Sequence, residues 1–388
     1  MESAYSNGSQ LTLAVRERGR DGAVPPQQIT VQVLEPMSLP TMSVVLKVNF
    51  RDAHSGCERM AVLKLFDRRF SPELRRRHNP SYDHDDEAAW QEYVQTDKAG
   101  ALFAFMDEKG RLEDEEGEIL VTDSETDPSS SDDDDGDGHA GKKKKVGTPA
   151  ETWEKKGKRE GISQWKARHS FTSETHAYAT LSHLQGRYIP KLLAEVHLKL
   201  PTPPGLQNTA GYRHEYFDVG GILLDHVDGF NLTDLGTTDI PEQEWHGIVQ
   251  RAVDAARYIN DAGVINLDCQ PRNVIVQRKT LKPFHIDFGR CLFAENMGWK
   301  KFGELKSWTD NQGEIGSIMS NKLRRAGVGL PEILYVDRDW GLFGSILTRL
   351  HMEAAPWAGI GYGVGAGIGV GVFAWVVARC ASAFRSRR

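Results

Sequence analysis

The chain has 388 residues, 39% of them hydrophobic and 26% charged, with a formal net charge of −6. That length can bury the core of one two-lobed unit or of two smaller domains, and the acid excess argues against a nucleic-acid binder built on a basic stripe. Four scattered cysteines (Cys57, Cys269, Cys291, Cys380), with no C-x-x-C and no Cys/His cluster, argue against a disulfide scaffold or a zinc module and favour a reducing compartment.

Residues 1–29 are polar and lack the apolar stretch of a secretory signal, so they are expected to be a disordered leader on a protein made in the cytosol. Thr30–Leu34, Ser43–Asn49 and Met60–Phe66 predict strands of a small β-sheet, the first two joined by the proline-containing turn EPMSLPTM. The third run, MAVLKLF, holds one lysine, Lys64, among apolar residues, and a desolvated ammonium there requires a partner.

From 67 to 165 the hydrophobic periodicity disappears, apart from a short helical pattern at Glu87–Tyr93 and an apolar patch at Leu102–Met106. The stretch is acidic to Asp127, passes through SSSDDDDGDG, and becomes basic from KKKK at 142–145 to Lys166; it is expected to be a mostly disordered insertion. Asp133, Asp135, Asp137 and Gly138 imitate the start of an EF-hand loop, but Lys144 stands at its twelfth position, which excludes calcium. A solvated linker is favoured there over a phosphorylated Ser129–Ser131 or a nuclear-import signal at KKKK.

SFTSETHAYATLSHLQG then predicts a helix with Glu174 in its opening turn and Gly186 as its stop. Lys191–Leu200 and Glu215–Leu224 read as strands, and Pro241–Ala262 as a long amphipathic helix. GVINLDCQPRNVIV places Asp268 and Asn273 on a loop entering a strand; PFHIDFGR places Asp287 at the end of a second strand, the two strands forming a hairpin. Phosphoryl transfer needs a carboxylate at the acceptor hydroxyl and oxygen ligands for magnesium, and Asp268, Asn273 and Asp287 are of the right types.

These segments resemble the protein-kinase-like superfamily over residues 30 to 335. N-L-D-C-Q-P-R-N keeps the aspartate-to-asparagine spacing of that family's catalytic loop H-R-D-x-x-x-x-N, and D-F-G follows intact. The resemblance implies an α+β, bilobal fold with a small β-rich N-lobe and a shortened helical C-lobe, binding ATP and Mg2+. It implies that Lys64 orients phosphates, Glu174 fixes Lys64, Asn273 and Asp287 bind magnesium, and Asp268 receives the acceptor proton. Arg272 is expected to supply the positive charge absent at Gln270, and the main chain of Asp225, His226 and Val227, in the inter-lobe hinge, to meet adenine. The motifs E-x-x-A-Y-x-x-L from Glu174 and G-x-x-I-P from Gly186, with a tail like E-I-G-S-I-M, look more narrowly like fungal kinase-like domain proteins. Three departures stand out: no glycine-rich loop precedes Lys64, Asn266 replaces the catalytic-loop histidine, and no A-P-E follows Gly289.

The expected organisation is therefore a leader at 1–29, N-lobe strands at 30–66, the insertion at 67–165, the rest of the N-lobe and hinge at 166–232, and a C-lobe at 233–353. Residues 354–378 carry no charge, and within them glycine recurs every second residue from Gly359 to Gly371, which suits a membrane-spanning tail anchor, followed by a basic tail at 379–388. The function implied is ATP-dependent phosphoryl transfer to a protein or small-molecule hydroxyl by a domain facing the cytosol. The alternative is a membrane-tethered pseudokinase scaffold. Cys269, beside the proposed base, is either a reactive thiol or a buried structural one.

Overall fold

The computed structural model describes residues 4–18, 28–37, 41–52, 55–75, 82–116, 152–200 and 216–335. The acidic tip of the insertion, the KKKK block and the 354–378 tract lie outside them. Among the described residues no helix is long and apolar enough to cross a membrane.

The amino-terminal half is built on a closed six-stranded antiparallel barrel. Its strands are β1 (Gln10–Arg18), β2 (Gln28–Pro36), β3 (Val44–Arg51), β4 (Glu58–Leu65), β5 (Leu192–Leu198) and β6 (Val219–Asp225), in the order β1-β2-β3-β4-β6-β5. Within the expected disordered leader, Gln10–Arg18 is thus a strand. Leu11 and Leu13 alternate with polar neighbours and enter the barrel core, Tyr5 is buried with them, and β1 pairs with both β2 and β5. Closure removes two sheet edges that an open five-stranded sheet would leave unpaired. Along β4 the alternation sends Ala61, Leu63 and Leu65 into the barrel core and leaves Val62 and Lys64 on its outer face.

The stretch expected to be disordered folds at both ends. It forms α1 (Pro72–Arg75), α2 (His84–Gln95) and α3 (Lys98–Glu116), then the front of α4 (Trp153–Thr180). Asp83 and Asp86 form a reciprocal capping box at the start of α2, and Thr152 caps α4. Glu174 therefore lies near the end of a 28-residue helix and not in its first turn. The apolar stripe is interrupted because the part of α4 that meets α2 and α3 carries Gly157, Glu160, Gly161 and Gln164, with only Ile162 and Trp165 as apolar packing residues. A Cβ at Gly157 would stand 2.7 Å from the Ala89 carbonyl oxygen, so this glycine sets the spacing of α2 and α4. Gly157→Ala is expected to destabilise by about 1–2 kcal/mol despite alanine's better helix propensity, because backbone must move; a thermal melt checks it.

The carboxy-terminal half follows β7 (Gly229–Asn231). Helix α5 (Glu242–Asp261) buries Trp245, Ile248, Val249, Ala252, Val253 and Ala256, the stripe expected from its sequence. Beyond it come β8 (Val264–Asn266), β9 (Val274–Gln277), β10 (Pro283–His285), β11 (Cys291–Phe293), and helices α6 (Ala294–Met297), α7 (Trp299–Thr309) and α8 (Asn311–Arg325). β9 and β10 form the expected hairpin, with β7 on its other edge, while β11 returns to pair with β8. Helix α8 packs on α5 through Ile315, Met319 and Leu323.

Candidate active site

Three segments meet on the outer face of β4. Lys64 projects toward α4, where its Nζ donates to Glu174 Oε2 at 2.6 Å and to Asp287 Oδ1 at 2.8 Å. Lys64 and Glu174 are buried, whereas the Asp287 side chain keeps 44% of its surface exposed, so the group opens to solvent on the Asp287 side. Burial alone would depress the Lys64 ammonium; the Asp287 and Glu174 carboxylates outweigh it and hold it above the ordinary lysine value. Burial would likewise raise Asp287, but the facing ammonium keeps this carboxyl below its usual range. Burial pushes the Glu174 carboxyl up to about 7, with Lys64 pulling it back and Asp287 adding to the rise.

The backbone at Asp287 has φ 65, a left-handed conformation that costs a non-glycine residue energy and aims this carboxylate at Lys64. Ser173 of α4 locks the following turn: its hydroxyl donates to the Phe288 carbonyl at 3.3 Å and accepts from the Cys291 amide at 3.2 Å.

Asp268 stands on the loop after β8. Arg272 Nη2 donates to its Oδ1 at 2.5 Å, and Asn273 Nδ2 donates to its Oδ2 at 3.0 Å and to its carbonyl at 2.9 Å. The amide nitrogen of Asn273 is committed to Asp268, which leaves its oxygen as the atom for a cation. Arg272 also donates to Gln270, the neutral residue at the position whose missing positive charge it was expected to supply. Among the described residues no cluster of three or more His, Cys, Asp or Glu side chains could hold a metal ion.

The two loops are joined by buried asparagines that the sequence did not single out as a group. Asn266, in the position of the missing histidine, donates to the Asp287 carbonyl at 3.0 Å and accepts from the Asp268 amide at 2.9 Å. Asn311 pairs with both backbone groups of Asn266, at 3.2 and 2.8 Å, and accepts from Asn260. One hydrogen-bonded chain thus sets Asp268 and Asp287 relative to each other.

Of the three hinge residues, Asp225 has spent its amide on the Lys191 carbonyl at 2.9 Å, and its side chain accepts from Arg59. That leaves the main chain of His226 and Val227, between β6 and β7, as the better-placed candidates for a base edge. Gly229 follows; a Cβ there would lie 2.2 Å from the Val276 carbonyl oxygen, so only glycine fits. Cys269 is buried, its thiol pushed up by burial and by nearby carboxylates, so it is structural and not a reactive nucleophile.

Beside it His285 donates from Nε2 to the Ala252 carbonyl at 2.9 Å. Burial lowers its imidazole to about 4, with the Ala252 bond opposing, so it is neutral in the folded protein at pH 7. Between about 6.5 and 4 the unfolded chain binds this proton and the folded one does not. The stability contribution is complete above pH 6.5 and is lost as the pH falls toward 4, by about 3 kcal/mol in all. Urea midpoints from pH 7 to 4 should show that decline, and His285→Gln should lessen its slope.

No protein-family model matches the sequence, and no curated protein matches it. Among solved structures, the kinase domain of PknI from Mycobacterium tuberculosis is similar over 67% of this chain and 58% of that one, at 13% identity and a TM-score of 0.29. A double mutant of the same domain gives 67%, 60%, 14% and 0.28. The chain thus covers about three-fifths of those domains. The narrower likeness to fungal proteins finds no support in these comparisons.

Proposed function

We propose that this chain is an ATP-dependent phosphotransferase of protein-kinase-like fold that passes the γ-phosphoryl group to a hydroxyl acceptor. One observation carries the proposal: a single buried ammonium, Lys64, bridges Glu174 and Asp287, which lie 110 and 223 residues away in sequence. A strand lysine, a helix glutamate and a loop aspartate in contact are the groups that hold and neutralise nucleotide phosphates in kinases.

The residues fit magnesium nucleotide. Asp287 offers a solvent-facing carboxylate, and Asn273 an amide oxygen held by its own nitrogen's bonds to Asp268. Two protein oxygens suit Mg2+, which keeps water and phosphate for its other positions and needs no three-residue cage. Bound Mg-ATP supplies the phosphoryl group and the cation that shields its charge. Lys64 holds the phosphates, Glu174 holds Lys64, and Arg272 and Asn273 fix the rotamer of Asp268. As the acceptor oxygen bonds the γ-phosphorus, the bond from that phosphorus to the bridging oxygen breaks and ADP leaves, while the acceptor's proton would pass to an Asp268 carboxylate oxygen, which retains lone-pair sites beyond the two occupied by Arg272 and Asn273.

The β2–β3 connection has no glycine to let backbone amides close on phosphate. Pro36 and Pro40 have no N–H, and the Met37 amide is spent on the Val45 carbonyl. Phosphate is therefore held by charge, and binding should depend steeply on magnesium.

The test is ADP formation from Mg-ATP by the full chain and by Asp268→Asn. Slow turnover that falls about 10²-fold or more in the variant, with nucleotide affinity kept, is the expected result. Nucleotide binding without ADP formation in the unaltered chain would make it a nucleotide-binding scaffold instead.

A further inference from the structure

Three arginines and three carboxylates meet where the chain leaves β4, all of them buried except the partly exposed Glu87. Arg68, four residues beyond Lys64, places Nη1 2.6 Å from Glu160 and Nη2 2.5 Å from Glu87. Arg75 of α1 reaches Glu160 at 2.7 Å and Asp86 at 2.6 Å, and Arg159 meets Asp86 at 2.6 Å. The formal charges cancel, and each carboxylate is held by an arginine from another element, as buried charge requires. Aromatic residues close the layer beside it: Trp90 packs against Tyr93, Phe103 and Tyr216, and its Nε1 donates to the Tyr216 carbonyl.

This cluster lies on the two elements whose separation decides whether Lys64 meets Glu174. Arg68 and Arg75 extend from the end of the lysine strand. Glu160 and Glu174 share the rigid rod of α4, about 21 Å apart along the axis at 1.5 Å per residue. A helix held at Glu160 and again at Ser173 has little freedom to carry Glu174 away from Lys64.

We infer that α2, α3 and the front of α4 form a built-in brace, and that the ion cluster fixes α4 against β4. The Lys64–Glu174 pair then stands assembled in the free chain, with no partner protein and no modification needed to bring the helix in. Glu160 and Asp86 are positioning residues acting through α4. The consequence for catalysis rests on the phosphotransferase reading, whereas the geometric claim does not.

The experiment compares Glu160→Gln in the full chain with Leu323→Ala, a core truncation between α5 and α8 that lowers stability away from the brace. Two quantities are read: the rate at which an amine-reactive ester modifies Lys64, followed by mass spectrometry, and the affinity for Mg-ATP. Glu160→Gln should raise Lys64 labelling about tenfold or more and weaken Mg-ATP binding by a similar factor, because local opening of α4 becomes populated. Leu323→Ala, at a comparable loss of thermal midpoint, should change neither by more than about twofold. If Glu160→Gln does not fold, Glu87→Gln at the rim of the cluster gives the same comparison, with a rise of about threefold. Equal labelling in the brace variant and in Leu323→Ala overturns the inference, leaving the cluster as a prop of the fold alone. If the unaltered chain binds no Mg-ATP, the phosphotransferase reading fails while the labelling comparison still decides the brace.

Discussion

Asp86→Ala should lower stability by about 3–5 kcal/mol, enough to unfold a domain of ordinary stability at moderate temperature. Asp86 is buried, receives Arg75 on one oxygen and Arg159 on the other, and its side chain also accepts from the Asp83 amide in the α2 capping box. Removing it leaves three guanidinium groups and two carboxylates in the cluster, with Glu160 the anion still facing both Arg75 and Arg159, and burying a charge that is no longer balanced is among the most costly classes of single substitution. An exposed pair gives the contrast. Lys47 and Glu35, on neighbouring barrel strands, meet at 3.2 Å with the glutamate 60% exposed, and Glu35→Ala should change stability by less than about 1 kcal/mol. Chemical denaturation of both variants checks the pair of values.

Lys64→Met should preserve the fold at neutral pH while reducing phosphoryl transfer about 10²–10³-fold, the range seen when one preorganised charge is removed from a reacting centre. Methionine fills the space of the lysine stem. Glu174 loses its ammonium, but burial already raises its carboxyl to about 7, and without Lys64 to oppose that rise it enters the fold neutral. The sign of the pH dependence follows. The folded variant binds a proton that the unfolded chain releases above about 4.5, so its stability falls as the pH rises from there through the folded pKa. The unaltered protein, with the ammonium present, should decline less steeply over that interval. Denaturation midpoints at pH 5 and 8 separate the two.

The parts of this architecture legible in the sequence are those where one physical signal dominates. Alternation marks β2 and β3, and a nearly continuous apolar run marks β4; a clean apolar stripe marks α5; fixed spacing marks the loop from Asp268 to Asn273 and the turn at Asp287. A lysine inside an apolar run pointed to a buried anionic partner, and Glu174 and Asp287 both face it. The signal for β1 was present in Leu11, Leu13 and Val15, but its polar flanks made it read as leader. The front of α4 has only Ile162 and Trp165 as apolar packing residues, too few to mark a stripe, because the glycine and charged residues between them bury well only once α2, α3 and the arginines of the β4 exit are in place. The asparagine chain from Asn260 through Asn311 to Asn266 was likewise unreadable as a group. Its members are 45 and 51 residues apart, and amide pairing leaves no periodicity.

The most direct measurement is a calorimetric titration of the full chain with ATP, with and without magnesium, alongside Lys64→Ala and Asp287→Ala. The expected result is binding that requires magnesium and falls about tenfold or more in each variant, since both remove a charge that faces the phosphates or their cation. Absence of binding at millimolar nucleotide, or binding indifferent to magnesium and to both substitutions, would contradict the assignment of Lys64, Glu174 and Asp287 as a phosphate-holding site.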